Sequence, residues 1–371
     1  MRAPTDQSLS TTTRQVRASD GVGLAVDVVG DGPPVVLVHG LGFSRRDWGG
    51  QVSALVAAGH QVVSFDLRGF GDSELPSEPY DIATLATDVV AVHEALALGP
   101  VHLVGHSLGG MVALQVALDH PERVRSLVLA STSCHNGRRA SALGRLAASI
   151  SRVGYQTAMA DPEITAQIDA LVPEMLGYVP MIMAALEKIA AEPDEARALA
   201  WQATVDFSLL DRVHGIAHPS LVVHGDADRI IPFSAGERLS EALPDCRWLA
   251  VEDAGHGLPI THAQPLNASM IAFITTLETV PATGSQADLP APGREEGGAN
   301  HKSEDTMIDH TESMDKAKLG GEERMLIAGE LCHATGQETF EALDPTTGGV
   351  LARVPNAGEA DVERAVAAAR E

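Results

Sequence analysis

The ten residues Val101-His102-Leu103-Val104-Gly105-His106-Ser107-Leu108-Gly109-Gly110 constrain this chain more than any other stretch. They read as a short apolar strand entering a five-residue turn of form G-x-S-x-G, and the apolar pattern from Met111 to Asp119 reads as a helix. A strand-to-helix turn this tight has no room for side chains at its outer positions, which Gly105 and Gly109 fill. It lifts the Ser107 hydroxyl clear of the backbone and points the positive end of the following helix at it. The segment is therefore a strand–turn–helix unit with a serine displayed at its tip.

The flanking sequence repeats the same alternation. Residues 14–30 alternate and turn at Asp20-Gly21, which predicts a two-stranded hairpin. Pro34 to His39 is a dense β-branched run, the mark of a strand buried on both faces. A helix is predicted over Trp48–Ala58, a buried strand over Gln61–Leu67, a helix over Asp81–Leu98 and a strand over Val124–Ala130. After Ser131 only helical stretches appear as far as Arg212, divided by Pro162, Pro173, Pro180 and Pro193. Alternation then resumes with strand Leu221–His224, helix Phe233–Leu243, strand Cys246–Val251 and helix Gln264–Leu277. The pattern predicts a mostly parallel sheet with helices on both faces, its core formed by residues 1–133 and 213–278. The helical insertion, 134–212, reads as a cap over the carboxyl ends of the strands, where open α/β sheets place their sites.

Residues 279–323 are rich in Pro, Gly, Ser, Thr, Asp and Glu with little apolar pattern, which predicts a disordered linker. Order returns over 324–371, with short strands expected at Met325–Leu331, Glu338–Leu343 and Val350–Val354 and a helix starting near Gly358. So small a piece cannot bury a core of its own.

Bulk composition limits the function classes. A formal charge of −24 with no basic block argues against nucleic-acid binding and against anionic membrane surfaces. Cys134, Cys246 and Cys332 are odd in number and scattered, which fits a reducing compartment and no C-x-x-C metal site. The first residues are polar, without the apolar region of a secretory signal, and no apolar run approaches the roughly 18 residues of a membrane span. The expectation is a cytoplasmic protein acting on a small molecule.

A serine hydroxyl becomes a nucleophile only beside a base, and the base needs an orienting acid. Asp228 follows the strand Leu221–His224 and His256 follows the strand Cys246–Val251, so both leave the sheet on the same side as Ser107. The chain order Ser…Asp…His is the one expected for a serine on such an elbow. Asp226 shares the turn with Asp228 and is the alternative acid, and His262 is the alternative base. His224, Asp226 and Asp228 could also present alternate residues to a metal ion. His106, next to the serine, reads as a packed, hydrogen-bonded residue. Two backbone donors are expected to face the developing oxyanion: the N–H of Leu108 at the helix start, and the N–H of Leu41 in the loop after His39.

These residues together resemble the α/β-hydrolase superfamily. The likeness spans about residues 15–278. It rests on Val38-His39-Gly40-Leu41-Gly42 with Trp48, on Asp66-Leu67-Arg68-Gly69-Phe70-Gly71-Asp72-Ser73, and on the elbow Gly105–Gly110. It also includes Gly225–Asp228 with Pro232, and Gly255-His256-Gly257. The resemblance implies Ser107 as nucleophile, His256 as base and Asp228 as its orienter, with Leu41 and Leu108 as oxyanion donors and no cofactor or metal. Its cap length is similar to those of esterase, haloperoxidase-like and enol-lactonase members. A serine at 107, where haloalkane dehalogenases and epoxide hydrolases carry aspartate, sets those chemistries aside.

Residues 324–371 resemble the start of the aldehyde dehydrogenase family. The carrying residues are Leu326-Ile327-Ala328-Gly329-Glu330, Phe340–Gly348, Ala352-Arg353-Val354-Pro355 and Asp361-Val362-Glu363-Arg364-Ala365. Only that family's first strands and helix are represented, so no oxidoreductase step is expected from them. The expected function is a serine hydrolase cleaving a carboxylic ester or lactone. Its alternatives are a cofactor-free perhydrolase, an enol-lactonase, a low-turnover ligand receptor, or the first part of a bifunctional hydrolase/aldehyde dehydrogenase. The cap residues Met159, Met175, Met181, Met183 and Trp201 could line a pocket or simply pack its helices.

Overall fold

The computed structural model describes residues 10–154, 157–158, 160–162 and 194–279, and the backbone of four short strands between 325 and 355. The chain divides into two compact units, Met1–Pro292 and Gly293–Glu371. The first unit is built on an eight-stranded sheet of order β1-β2-β4-β3-β5-β6-β7-β8. Its strands are β1 Thr11–Arg17, β2 Gly23–Val29, β3 Pro34–Val38, β4 Gln61–Phe65, β5 Val101–His106, β6 Val124–Ala130, β7 Ser220–Gly225 and β8 Cys246–Val251. The hairpin β1–β2 joins β4 antiparallel, and every pairing from β4 to β8 is parallel.

Side chains on a strand alternate between faces, and both faces here are covered. Val36 and Val38 of β3, with Leu103 and Leu127, pack against one layer that includes α2 (Ile82–Ala95) and α3 (Leu108–Asp119). Val35 and Leu37, with Val104 and Val128, pack against α1 (Gly49–Ala57) and the long helix Ala263–Thr279 on the other. The continuous burial of β3 and β5 follows from this sandwiching, whereas the edge strand β1 exposes all but one of its residues.

The insertion between β6 and β7 leaves and re-enters through a narrow neck. An isolated antiparallel bridge joins His135 to Ser208, and the N–H groups of Asn136 and Leu209 donate to the carbonyls of Phe207 and Cys134, each at 2.8 Å. Beyond the neck the helices α4 (Arg138–Val153) and α5 (Glu195–Thr204) pack on each other. Of the candidate pocket residues, Met159, Met175, Met181 and Met183 lie outside the described residues, while Trp201 sits half-buried on α5. The remaining α-helices among the described residues are α6 (Phe233–Ala242), the single turn α7 (Leu258–Thr261) and α8 (Ala263–Thr279).

Most element ends lie within one to three residues of the sequence expectation, and two departures bear on the site. Helix α3 starts at Leu108, three residues before Met111, because the chain turns from strand to helix at Ser107 alone. Gly109 and Gly110 are then helical, and their missing side chains let α3 press against β3 and Thr132. The turn α7 follows His256 where only an approach to the next helix is legible in the sequence. No helix among the described residues is long and apolar enough to cross a membrane.

In the second unit, β9 (Met325–Ile327) pairs with β10 (Glu330–Cys332) and β11 (Thr339–Leu343) with β12 (Val350–Pro355), both antiparallel. The single strand expected over Met325–Leu331 is thus two paired strands. The linker expected over 279–323, apart from Thr279 at the end of α8, and the helix expected from Gly358 lie outside the described residues.

Candidate active site

The elbow is held by backbone contacts that admit no side chain. A Cβ on Gly105 would stand 2.3 Å from the Gly109 carbonyl oxygen, and one on Gly109 would stand 2.1 Å from that of Val38. Ser107 at the tip has φ 53° and ψ −117°, a strained conformation for a residue with a side chain. It is over-determined by its neighbours. The Ser107 N–H donates to Ala130 at 3.0 Å, and its carbonyl accepts from the N–H of Gly110 at 2.9 Å and from the Thr132 hydroxyl at 2.7 Å.

Residues far apart in the chain converge on this tip. His256 Nε2 lies 2.9 Å from Ser107 Oγ, and His256 Nδ1 lies 2.9 Å from Asp228 Oδ2. The carboxylate fixes the tautomer: Nδ1–H donates to Asp228, which leaves the Nε2 lone pair facing the serine hydroxyl. Asp228 Oδ1 accepts from the backbone N–H groups of Ile230 at 2.9 Å and Ile231 at 3.0 Å. Burial would raise the Asp228 pKa, but hydrogen bonding to His224 and His256 outweighs it and holds the carboxyl well below the usual range.

The alternatives read from sequence are not brought together. Asp226 is exposed, whereas Asp228 in the same turn is buried. His262 bonds Thr261 Oγ1 at 3.0 Å, and no contact joins it to Ser107. His224 and Asp228 are buried and Asp226 is exposed, and among the described residues no group of three His, Cys, Asp or Glu side chains is placed to hold a metal ion.

Beside the serine, Gly40 passes so close that a Cβ there would lie 3.1 Å from Ser107 Cβ and 2.8 Å from His106 Nδ1. The loop that carries Leu41 therefore abuts the nucleophile, and Leu108, first residue of α3, has an N–H with no intrahelical acceptor. His39 ties this loop to the end of β4: its Nδ1–H donates to the Gly40 carbonyl at 2.8 Å, and its Nε2 accepts from the Leu67 N–H at 2.9 Å. His106 is packed and hydrogen-bonded, its Nε2–H donating to the His256 carbonyl at 2.8 Å. Burial and the neighbouring His256 push the His106 pKa down to about 3, so it stays neutral.

In the sequence His106 reads as a packed, hydrogen-bonded residue, as the structure has it, His224 only as a candidate metal ligand, and His39 only as part of the loop motif. Their partners are main-chain carbonyls or side chains across the fold, for which a single sequence carries little signal. For His224 there was one hint, its place four residues before Asp228 at the end of the same strand.

Comparison with known proteins agrees with this architecture. A family model for the alpha/beta hydrolase fold matches residues 33–148, and one for TAP-like proteins matches residues 195–287. A Variovorax paradoxus protein named "Putative carbamate hydrolase RutD" is 33% identical over 265 residues, spanning 68% of this chain and 96% of that protein. A thermophilic esterase structure from Thermogutta terrifontis is similar with a TM-score of 0.59 and 25% identity, covering 72% of this chain and 100% of that one. The structure of a hydrolase from Pseudomonas aeruginosa gives 0.57 and 26%, over 71% and 98%.

Proposed function

The chain belongs to the α/β-hydrolase fold family, and from that membership we propose that it is a serine hydrolase cleaving a carboxylic ester or lactone through an acyl-enzyme. The observation that carries this reading is the unbroken hydrogen-bonded series from Ser107 Oγ through His256 to Asp228. His256 Nε2 takes the Ser107 proton as Oγ attacks the substrate carbonyl carbon. Negative charge gathers on the carbonyl oxygen, which rests on the N–H groups of Leu108 and Leu41. The tetrahedral species collapses when His256 returns the proton to the leaving alkoxide, and the serine is left acylated. Water, deprotonated by His256, attacks the acyl carbon, the same two donors hold the second oxyanion, and its collapse frees the acid as Ser107 Oγ leaves and takes the proton back from His256. Asp228 stays ionised throughout and steadies the imidazolium.

The carbamate hydrolase name borne by the Variovorax relative favours a second reading, in which the acyl carbon bears nitrogen, Ser107 attacks this carbamoyl carbon in the same way, and its oxygen substituent leaves with the proton from His256. Turnover of a p-nitrophenyl ester series from acetate to octanoate, beside a p-nitrophenyl carbamate, separates the two. Ester turnover that Ser107→Ala lowers by at least about 10³-fold supports the proposal. Carbamate turnover with none on esters selects the second reading, and ester turnover unchanged by Ser107→Ala overturns the serine mechanism.

A further inference from the structure

We propose that His224, offered by the sequence only as a candidate metal ligand, is a positioning residue that holds the acid of the triad. The inference rests on the serine-hydrolase reading above. His224 is fully buried near the end of β7, and its Nε2 lies 3.0 Å from the Ile231 carbonyl and 3.4 Å from Asp228 Oδ2. Because Asp228 Oδ1 accepts from the N–H groups of Ile230 and Ile231, the imidazole, the carboxylate and the turn 228–231 form a closed ring of contacts. Oδ2 is thereby shared between two imidazoles, His256 on one side and His224 on the other.

The fold makes room for this ring. Trp248 of β8 stacks on it at 6.5 Å between centroids, and Phe233 at the start of α6 meets it edge-on at 6.2 Å. A Cβ on Gly236 would stand 2.4 Å from its Nδ1, so the glycine in the first turns of α6 clears the space the imidazole fills. Nδ1 itself is buried with no hydrogen-bond partner, which suits a lone pair there and places the proton on Nε2, facing Ile231 and Asp228. The titratable groups it faces are Asp228 and, through Asp228, His256. Phe233 and Trp248, packed on it from α6 and β8, carry no titratable group.

Acting through Asp228, His224 has two separable effects. It fixes the height and orientation of the carboxylate under His256, so its loss misplaces the base. It also draws off part of the Oδ2 negative charge, so its loss leaves a stronger anion beside His256 and makes the imidazolium easier to form.

The test compares wild type, His224→Phe and His224→Gln on p-nitrophenyl butyrate across pH 5–9. Phenylalanine keeps the ring against Trp248 but has no N–H, whereas the glutamine amide can present an N–H near the Nε2 position. The expected result for His224→Phe is a kcat lower by about tenfold with KM unchanged, and an acid limb of the kcat profile displaced to higher pH. His224→Gln is expected to recover both. An unmoved acid limb in His224→Phe, or a glutamine variant no better than phenylalanine, overturns the proposal. If His224→Phe does not fold, long-range ¹H–¹⁵N spectra of the wild-type imidazoles decide: a proton on Nε2 of His224 supports the assignment and one on Nδ1 overturns it. Wild type lacking Ser107-dependent turnover on every acyl substrate defeats the hydrolase reading itself, and the tautomer still reports on the His224 hydrogen bond separately.

Discussion

At the elbow a single methyl group decides whether the serine can be presented at all. Alanine at 105 places its Cβ against main-chain atoms, 2.3 Å from the Gly109 oxygen and 2.6 Å from the Gly110 nitrogen, and no side chain there can rotate away. Gly105→Ala is expected to lower stability by about 1–3 kcal/mol, or more if α3 must shift as a body. The urea unfolding midpoint measures this, and a midpoint unchanged from wild type would contradict the close packing. Gly105 and the three residues Ser107, Asp228 and His256 were legible because the elbow has a fixed spacing and each of the three follows a recognisable apolar strand. The second circle of histidines was not legible in the same way. His106 meets a carbonyl 150 residues away, and His39 bridges 28 residues to Leu67, so no local pattern announces either contact.

One scale up, the helix α2 carries a carboxylate on its inward face. Asp88 falls at the same spacing as Leu85, Val89 and Val92, all buried, and burial pushes its carboxyl up from the usual range. Arg68, on the loop after β4, meets it with two hydrogen bonds, Nε to Oδ2 at 2.7 Å and Nη2 to Oδ1 at 2.5 Å. Both side chains are almost wholly removed from solvent, and a third contact joins Arg68 to Asp20 at 2.7 Å. Cutting one partner from such a pair leaves an uncompensated buried charge, so Arg68→Ala is expected to cost about 3–5 kcal/mol. Arg68→Lys retains the charge but loses the paired fork and should recover only part of that loss. Chemical denaturation of both variants and of Asp88→Asn in a double-mutant cycle checks it, and independent, additive losses would refute the coupling. Elements themselves were readable where period and length agreed: β3, β5 and α2 fall close to their expected spans. The one-turn α7 and the split of the strand expected at 325–331 escaped because segments of three or four residues carry too little periodicity. The antiparallel entry of β1–β2 onto β4 also needs the assembled sheet, since a hairpin pattern does not name the strand it will join.

For the folded unit as a whole, buried neutral imidazoles set the response to acid. His39, His102 and His106 are each at most 2% exposed, and burial pushes all three down from the usual 6.5, His102 to about 4 and His106 to about 3. Arg125 and His60 add to the effect at His102, and His256 adds to it at His106. In the unfolded chain these groups take up protons as pH falls through 6.5, while in the fold they do not. Their contribution to stability is therefore complete above about pH 6.5 and is lost as pH drops toward the folded values. His102 and His106 can each contribute a slope of about 1.4 kcal/mol per pH unit, about 3 together, against a total stability of about 5–15 kcal/mol for a domain, and His39 and His93, also lowered by burial, act in the same direction. Asp88, with its carboxyl pushed up, opposes this loss but is one group against four. The lowered carboxyls of Asp20 and Asp228 add a further loss only below the ordinary carboxylate range. Urea midpoints are accordingly expected to fall steeply between pH 6.5 and 5, with cooperative unfolding near the lower end. His102→Asn lies at the start of β5, at the other end of the strand from Ser107, and should flatten the slope while sparing the site. A midpoint constant from pH 7.5 to 5 would mean that the imidazoles find protons, or water, within the fold.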